Sequence, residues 1–323
     1  MRAIQLERTG DPDVLREVQL PVPEPGAGEV RVRHDAIGIN LIDTYVRKGL
    51  YPTQLPAVLG TEGAGVVDAV GADVAHVAVG DRVAYVSRAT GSYAEQRVVE
   101  GAAVVRLPDG IDTRRAAAMM LKGLTVQYLL RQMRVDLVAG DLIVWHAAAG
   151  GVGLIACQWA KALGYRVIAT AGGPDKCALA LAHGAAYAVD YRREDVAARV
   201  RELTGGAGVK AVFDPVGKDT WDGSLACLAP RGLMVSFGNA SGAVPPISLL
   251  TLTRGSFYVT RPTLGTFTAD RGILEIMASE LFAIVSSGAV RIAAPREYPL
   301  ADAARAHREL ESRATTGAGV LIP

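Results

Sequence analysis

Apolar and polar positions alternate along Glu29-Val30-Arg31-Val32-Arg33-His34, the period of a half-buried strand. The apolar runs 65–71 and 82–86 are bounded by turn residues and predict two more strands. Pro12, Pro21, Pro23, Pro25, Pro52 and Pro56 punctuate the same region, so the first hundred residues read as mostly β. From about residue 123 the period changes. Leu142-Ile143-Val144-Trp145 is a short apolar strand, followed by a turn holding Gly150, Gly151 and Gly153 and by a helix over 152–163 that ends at Gly164. A strand over 165–170, a helix over 176–182 closed by Gly184, and a strand over 187–190 come next. Val196, Val200 and Leu203 then lie on one helical stripe ahead of Gly205-Gly206. Strands over 209–214 and 232–238 complete this part. Strands alternating with helices at these lengths predict a parallel, doubly wound sheet.

A helix over 301–312 and a strand over 319–323 form the tail. The order of elements places an α/β Rossmann unit, 123–259, inside a mainly β domain assembled from 1–122 and 260–323. Length points the same way. A chain of 323 residues exceeds the ~250–300 at which a single core stops growing. Glycine supplies 36 of those residues, about 11% against a usual ~7%, so many tight turns or close backbone approaches are expected.

Charge narrows the partners. The formal net charge is +1 and the basic residues are scattered, so no face suited to nucleic acid is expected. Cys157, Cys177 and Cys227 are far apart and odd in number, which suits neither a disulfide framework nor a zinc cage and fits a reducing cytoplasm. The N-terminus lacks the apolar stretch of a signal peptide. The uncharged stretch 142–160 approaches the length of a membrane span, but its three glycines in five residues read as a turn between buried elements. No membrane association is expected.

Ala148-x-Gly150-x-x-Gly153 has the spacing of a dinucleotide fingerprint with alanine in the first place. It follows a strand and opens a helix, where missing side chains let backbone approach a pyrophosphate and the helix N-terminus offers N–H groups. Glycine turns also join strands to helices for packing alone; the βαβ setting favours nucleotide binding. An NAD site places an acid near the end of the second strand for the ribose 2′-hydroxyl. Here Ala169-Thr170-Ala171-Gly172-Gly173 offers none, which leaves room for a 2′-phosphate, and Lys176 stands in the next helix's first turn. NADPH is therefore the expected cofactor. No cysteine precedes Cys157 and the five histidines make no short-spaced pair, so no metal is expected. Hydride transfer to an easily reduced acceptor needs mainly proximity and orientation, which suits a quinone better than a ketone.

Five stretches, 36–45, 59–65, 121–125, 146–153 and 232–239, together closely resemble the zinc-free quinone oxidoreductases of the medium-chain dehydrogenase/reductase superfamily, the ζ-crystallin-like group, over essentially the whole chain. That resemblance implies a GroES-like catalytic domain around the Rossmann unit and reduction of quinones by NADPH without metal or flavin. It implies that Asn40 and a loop from Leu41 through Asp43 to Tyr45 face the nicotinamide, with Tyr45 and Tyr51 in the acceptor pocket beside Asn40. Tyr128, Ala148, Gly150, Gly151, Val152 and Gly153 would hold the ribose and pyrophosphate. Gly172, Gly173, Lys176, Tyr191 and Arg313 would surround the 2′-phosphate. Phe237, Gly238, Arg261 and Thr263 would wall the nicotinamide half. Pro215 departs from the family pattern, in which serine often stands and bonds the cofactor. The resemblance also implies a homodimer paired through Rossmann edge strands, with 256–260 as the edge. Two other readings stay open: reduction of the C=C bond of an enone or enoyl thioester, and a non-catalytic NADPH-binding protein of crystallin or RNA-binding type.

Overall fold

The alternation at 29–34 continues further than its period indicates, into a strand of 11 residues, Glu29–Ile39. It remains one strand because irregularities at 31/32 and 34/36 let it bend while pairing with Glu62–Val70. The computed structural model describes residues 1–133, 136–312 and 315–323. They divide into two compact units, 1–124 with 267–286 and 292–323, and 125–266 with 287–291.

In the first unit Glu29–Ile39 is the centre of a seven-stranded sheet. Glu62–Val70 and Gln96–Glu100 pair with it antiparallel, and Gly319–Ile322 joins it from the tail. The tail strand bonds Ile37, Gly38 and Ile39, so the last residues of the chain hold the approach to Asn40. Val30, Val32, Val67, Val83, Tyr85 and Val99 fill one core cluster of the unit; Ile4, Leu6, Ile37, Leu59, Tyr93 and Leu321 fill another. Burial on this scale is the main favourable term in its stability.

The second unit carries a six-stranded sheet, all parallel. Its order is Tyr187–Asp190, Arg166–Ala171, Leu142–Trp145, Val209–Asp214, Leu228–Ser236, Tyr258–Thr260. Numbered along the chain, these strands lie as 3-2-1-4-5-6, the doubly wound Rossmann arrangement. The predicted strands over 187–190 and 209–214 occur with those bounds, and the stripe of Val196, Val200 and Leu203 lies in a helix, Val196–Leu203.

Two sequence expectations need correction. The stretch 41–45, expected as a loop, lies in a helix, Leu41–Arg47. Its apolar residues, Leu41, Ile42, Tyr45 and Val46, span fewer than two turns, too short for periodicity to mark a helix; the capping box at Asn40 starts it. The helices Thr113–Arg131 and Arg271–Ser286 were not predicted. In Thr113–Arg131 the run Ala116–Met120 is buried on every side, which removes the amphipathic pattern by which a helix is read.

Candidate functional site

The glycine turn of the second unit starts at the end of Leu142–Trp145. Ala147 takes a left-handed backbone, φ 53°, unfavourable for a residue with a Cβ, and Gly150 caps the helix Gly151–Ala162. The Gly150 N–H donates back to the Ala147 carbonyl at 3.0 Å. A Cβ on Gly153 would lie 2.5 Å from the Ala148 backbone, so only glycine lets helix and strand approach this closely. The first N–H groups of such a helix lack intrahelical partners and carry the positive end of its dipole. Ala148, Gly150, Gly151, Val152 and Gly153 thus bring bare backbone and a helix N-terminus together at one turn.

The neighbouring strand ends are locked by a buried polar network. The Asp214 carboxylate accepts from the Val216 and Gly217 N–H groups and from the Thr220 and Ser224 hydroxyls. Because Ser224 donates to Asp214, it accepts from His146 Nε2–H, and Thr170 donates to His146 Nδ1 at 2.9 Å. Burial lowers the pKa of this imidazole, which keeps it neutral. The Pro215 carbonyl accepts from the Ala240 N–H, so the turn closes without a donor at 215. Gly238 packs against it, since a Cβ there would lie 2.2 Å from the Pro215 oxygen. Arg261 donates to the Gly238 carbonyl at 3.1 Å, and Trp145 stacks on Phe213 and meets Phe237 at a tilt of 59°. Tyr128 is buried, which pushes its phenol pKa up against the pull of Arg261. Thr263 is exposed, and its hydroxyl is bonded to that of Thr266.

At the end of Arg166–Ala171 the backbone passes through Gly172 and Gly173 (φ 103°) into the helix Pro174–Ala182, whose third residue is Lys176. A Cβ on Gly172 would meet the Tyr191 hydroxyl at 2.6 Å and Arg192 Nε at 3.1 Å. The Asp190 carboxylate ties this corner together by accepting from the Gly173 and Arg192 N–H groups, which hold its pKa below the ordinary range. Sequence reading missed both Asp190 and Arg192, because neither lies on the strand where the fingerprint directs attention. Arg313 lies outside the described residues.

In the first unit the tail-braced end of Glu29–Ile39 delivers Asn40 to the helix Leu41–Arg47. The Asn40 N–H donates to Asp43 Oδ2 at 2.9 Å, half of a capping box that fixes the helix start. Both ends of the Asn40 amide are also held. Its Nδ2 donates to Glu62 Oε2 at 2.7 Å, and its Oδ1 accepts from Lys122 Nζ at 2.8 Å. Glu62 Oε1 accepts from the Leu121 N–H at 2.7 Å, and Lys122 stands 3.6 Å from the carboxylate. All three side chains are buried. A Cβ on Gly38 would lie 2.1 Å from Glu62 Oε2, so glycine is required where the carboxylate passes the strand. Glu62 and Lys122 lie inside stretches that carry the resemblance, yet their pairing across 60 residues has no local signal.

Asp43 is fully buried, and its carboxylate serves the cap and the Tyr93 hydroxyl rather than an open surface. Arg47 donates to His307 Nδ1 at 3.0 Å; His307 Nε2–H therefore donates to Tyr93, and Tyr93 to Asp43. Burial pushes the Asp43 carboxyl up to about 7 and the His307 imidazole down to about 3, so the chain of bonds is built from neutral groups at its centre. Tyr45 packs edge-on against Tyr51, ring centres 5.6 Å apart at 80°. Tyr51 lines a cleft of about 630 Å³ together with Ile42, Pro52, Val58, Thr61 and Arg88, and Tyr45 is not among the lining residues. That volume lies within the ~300–1,000 Å³ of small-molecule sites.

The sequence-predicted residues therefore form two groups. Asn40, Leu41, Asp43, Tyr45 and Tyr51 belong to the first unit, and the residues from Tyr128 to Thr263 to the second. Among the described residues no group of three His, Cys, Asp or Glu side chains is arranged to hold a metal ion. No helix among them is long and apolar enough to cross a membrane.

Comparison with known proteins gives a consistent result. Residues 26–109 match the alcohol dehydrogenase GroES-like domain, and residues 151–279 the zinc-binding dehydrogenase family. A quinone oxidoreductase of Pseudomonas aeruginosa is 54% identical, over 100% of this chain and 99% of its own. The crystal structure of an Escherichia coli quinone oxidoreductase complexed with NADPH superposes with a TM-score of 0.98 at 48% identity, covering 100% of both chains. A 2-haloacrylate reductase of a Burkholderia species is 38% identical, over 99% of this chain and 98% of its own.

Proposed function

Since this chain belongs to the quinone oxidoreductase family of the medium-chain dehydrogenase/reductase superfamily, we propose that it reduces quinones with NADPH. The observation that carries the reading is the pair of cradles in the second unit, the Gly150–Gly153 turn and the Gly172–Gly173 corner with Lys176, Tyr191 and Arg192. The first fits a pyrophosphate. In the second, the glycines leave backbone bare beside Tyr191 and Arg192, with Lys176 in the first turn of the following helix, and these donors would suit a 2′-phosphate.

NADPH, when bound, supplies the hydride. The glycine turn would anchor its pyrophosphate; Arg261, Phe237 and Gly238 would border its nicotinamide end. The first unit provides the acceptor cleft, with the Tyr51 ring supported by Tyr45 as its aromatic wall. Asn40, held at both ends, keeps the start of Leu41–Arg47 in place rather than acting as a loose donor. The acceptor takes up one hydride and one proton from water, so quinone becomes hydroquinone as NADPH becomes NADP⁺. Its oxygens accept that proton directly, and positioning therefore supplies most of the catalysis.

The test follows absorbance at 340 nm with NADPH or NADH and 1,4-benzoquinone or a simple enone. Rapid turnover is expected with NADPH and the quinone. Lys176→Ala should weaken NADPH binding about tenfold and leave NADH binding unchanged. Turnover of the enone alone would replace the acceptor, and equal use of both cofactors would overturn the 2′-phosphate assignment. The relationship to a 2-haloacrylate reductase makes C=C reduction the second reading.

In this reading the enzyme is a cytoplasmic homodimer. Its three unpaired cysteines suit a reducing compartment. Tyr258–Thr260, the edge of the six-stranded sheet, exposes Tyr258 and Val259 and would pair with the same strand of a second copy. Sedimentation equilibrium should give about twice the 33.8 kDa chain mass, and Val259→Pro should return the single-chain value. A wild-type mass of one chain at micromolar concentration would reject the dimer.

A further inference from the structure

Thr61 is buried, and its hydroxyl has no hydrogen-bond partner within the protein. Buried hydroxyls without partners are uncommon because the lost hydration is not replaced. Among the described residues only Asp43 Oδ1 and Trp145 Nε1 share this condition. Thr61 differs from both in that it lines the cleft beside Tyr51.

The backbone around Thr61 is pinned. Gly60 has φ 88°, and a Cβ there would lie 2.3 Å from the Tyr93 ring. The Thr61 carbonyl accepts from the Ser87 N–H at 2.8 Å, and the Gly60 carbonyl from the Gly91 and Ser92 N–H groups. The next residue is Glu62, whose carboxylate is fixed to Asn40 and Leu121. Only the rotation of the Thr61 side chain is left open, and no protein acceptor holds it in one of its three staggered positions. The cleft it lines mixes apolar side chains, Ile42, Val46, Pro52 and Val58, with polar ones, Thr53, Gln54, Arg88 and Thr90. A hydroxyl kept unbonded at the margin of such a cleft has the properties of a group reserved for a ligand.

We infer that the Thr61 hydroxyl is the hydrogen-bond donor to a carbonyl oxygen of the quinone, and so orients the acceptor in the cleft. This rests on the quinone-reductase reading. Negative charge gathers on that oxygen as the ring carbon or oxygen is reduced, and a fixed donor stabilises the charge more than it stabilises the neutral ground state. Thr61 keeps its own proton; the hydrogen that completes the hydroquinone comes from water.

The test compares Thr61→Val, which keeps the shape and removes the hydroxyl, with Thr61→Ser, which keeps the hydroxyl. Steady-state reduction of 1,4-benzoquinone and 1,4-naphthoquinone, NADPH affinity by fluorescence titration, and Tm are read for each. Thr61→Val should lower kcat/KM for both quinones about 100-fold. It should leave NADPH affinity within about twofold and leave Tm equal or higher, because an unbonded buried hydroxyl is removed. Thr61→Ser should stay within about threefold of wild type. Wild-type turnover matched by Thr61→Val overturns the inference while leaving the quinone-reductase reading intact. Loss of activity in Thr61→Val with a lower Tm and weakened NADPH binding also overturns it, since the residue is then structural. Absence of quinone turnover in the wild type fails the reading itself.

Discussion

Replacing Glu62 by alanine should lower stability by about 3–5 kcal/mol and abolish quinone reduction, the largest effect expected from any single change in the first unit. Glu62 is fully buried and accepts from the Leu121 N–H and the Asn40 amide, with Lys122 3.6 Å away. Without it the Lys122 ammonium is a buried cation left with two neutral acceptors, the Ile39 carbonyl and Asn40 Oδ1. The cost lies mainly in that stranded charge. The double variant Glu62→Ala/Lys122→Met should therefore recover much of the stability, because no charge remains to be compensated. It should recover little activity, since the Asn40 amide then has neither anchor. A Tm drop of about 6–20 °C for the single variant, partly reversed in the double, would bear this out. A single variant as stable as wild type would mean that water or another group replaces the carboxylate, and the interlock would then carry no weight.

Gly153→Ala should weaken NADPH binding at least about tenfold and lower stability by about 1–3 kcal/mol. The added methyl would lie 2.5 Å from the Cα and oxygen of Ala148 and 2.6 Å from its carbonyl carbon. Those are backbone atoms of the preceding turn and cannot swing aside as a side chain could. The helix Gly151–Ala162 must move away from Leu142–Trp145, and its N-terminal N–H groups move with it. Phosphate binding depends on those groups being aimed at one place, so affinity falls with a displacement that most of the core survives. Fluorescence titration with NADPH, beside urea unfolding, separates the two effects. Reduced stability with unchanged affinity would show that the glycine serves packing alone.

Most of the second unit was legible because its signals are local. Val196, Val200 and Leu203 lie on one stripe, the fingerprint spacing sits between a strand and a helix, and the turns carry Gly164, Gly184 and Gly205. In the first unit the helix Leu41–Arg47 gave no such signal, since its start depends on Asp43 returning to the Asn40 N–H rather than on any apolar period. Buried helices were missed for a different reason: most of Thr113–Arg131 is buried and it mixes buried Lys122, Thr125 and Gln127 with its apolar residues, so nothing marks a face.

By itself the sequence determined the doubly wound sheet, the dinucleotide turn and the lack of an acid at the end of the second strand. Each of these is written in the spacing of neighbouring residues. Tertiary structure alone decided that Asn40 is clamped by Glu62 and Lys122, that Asp190 and Arg192 stand at the Gly172 corner, and that Thr61 is left without a partner beside the cleft. These depend on which distant strands pair and how deeply each side chain is buried, and the free energy of a polar group is set by that burial rather than by its neighbours in sequence.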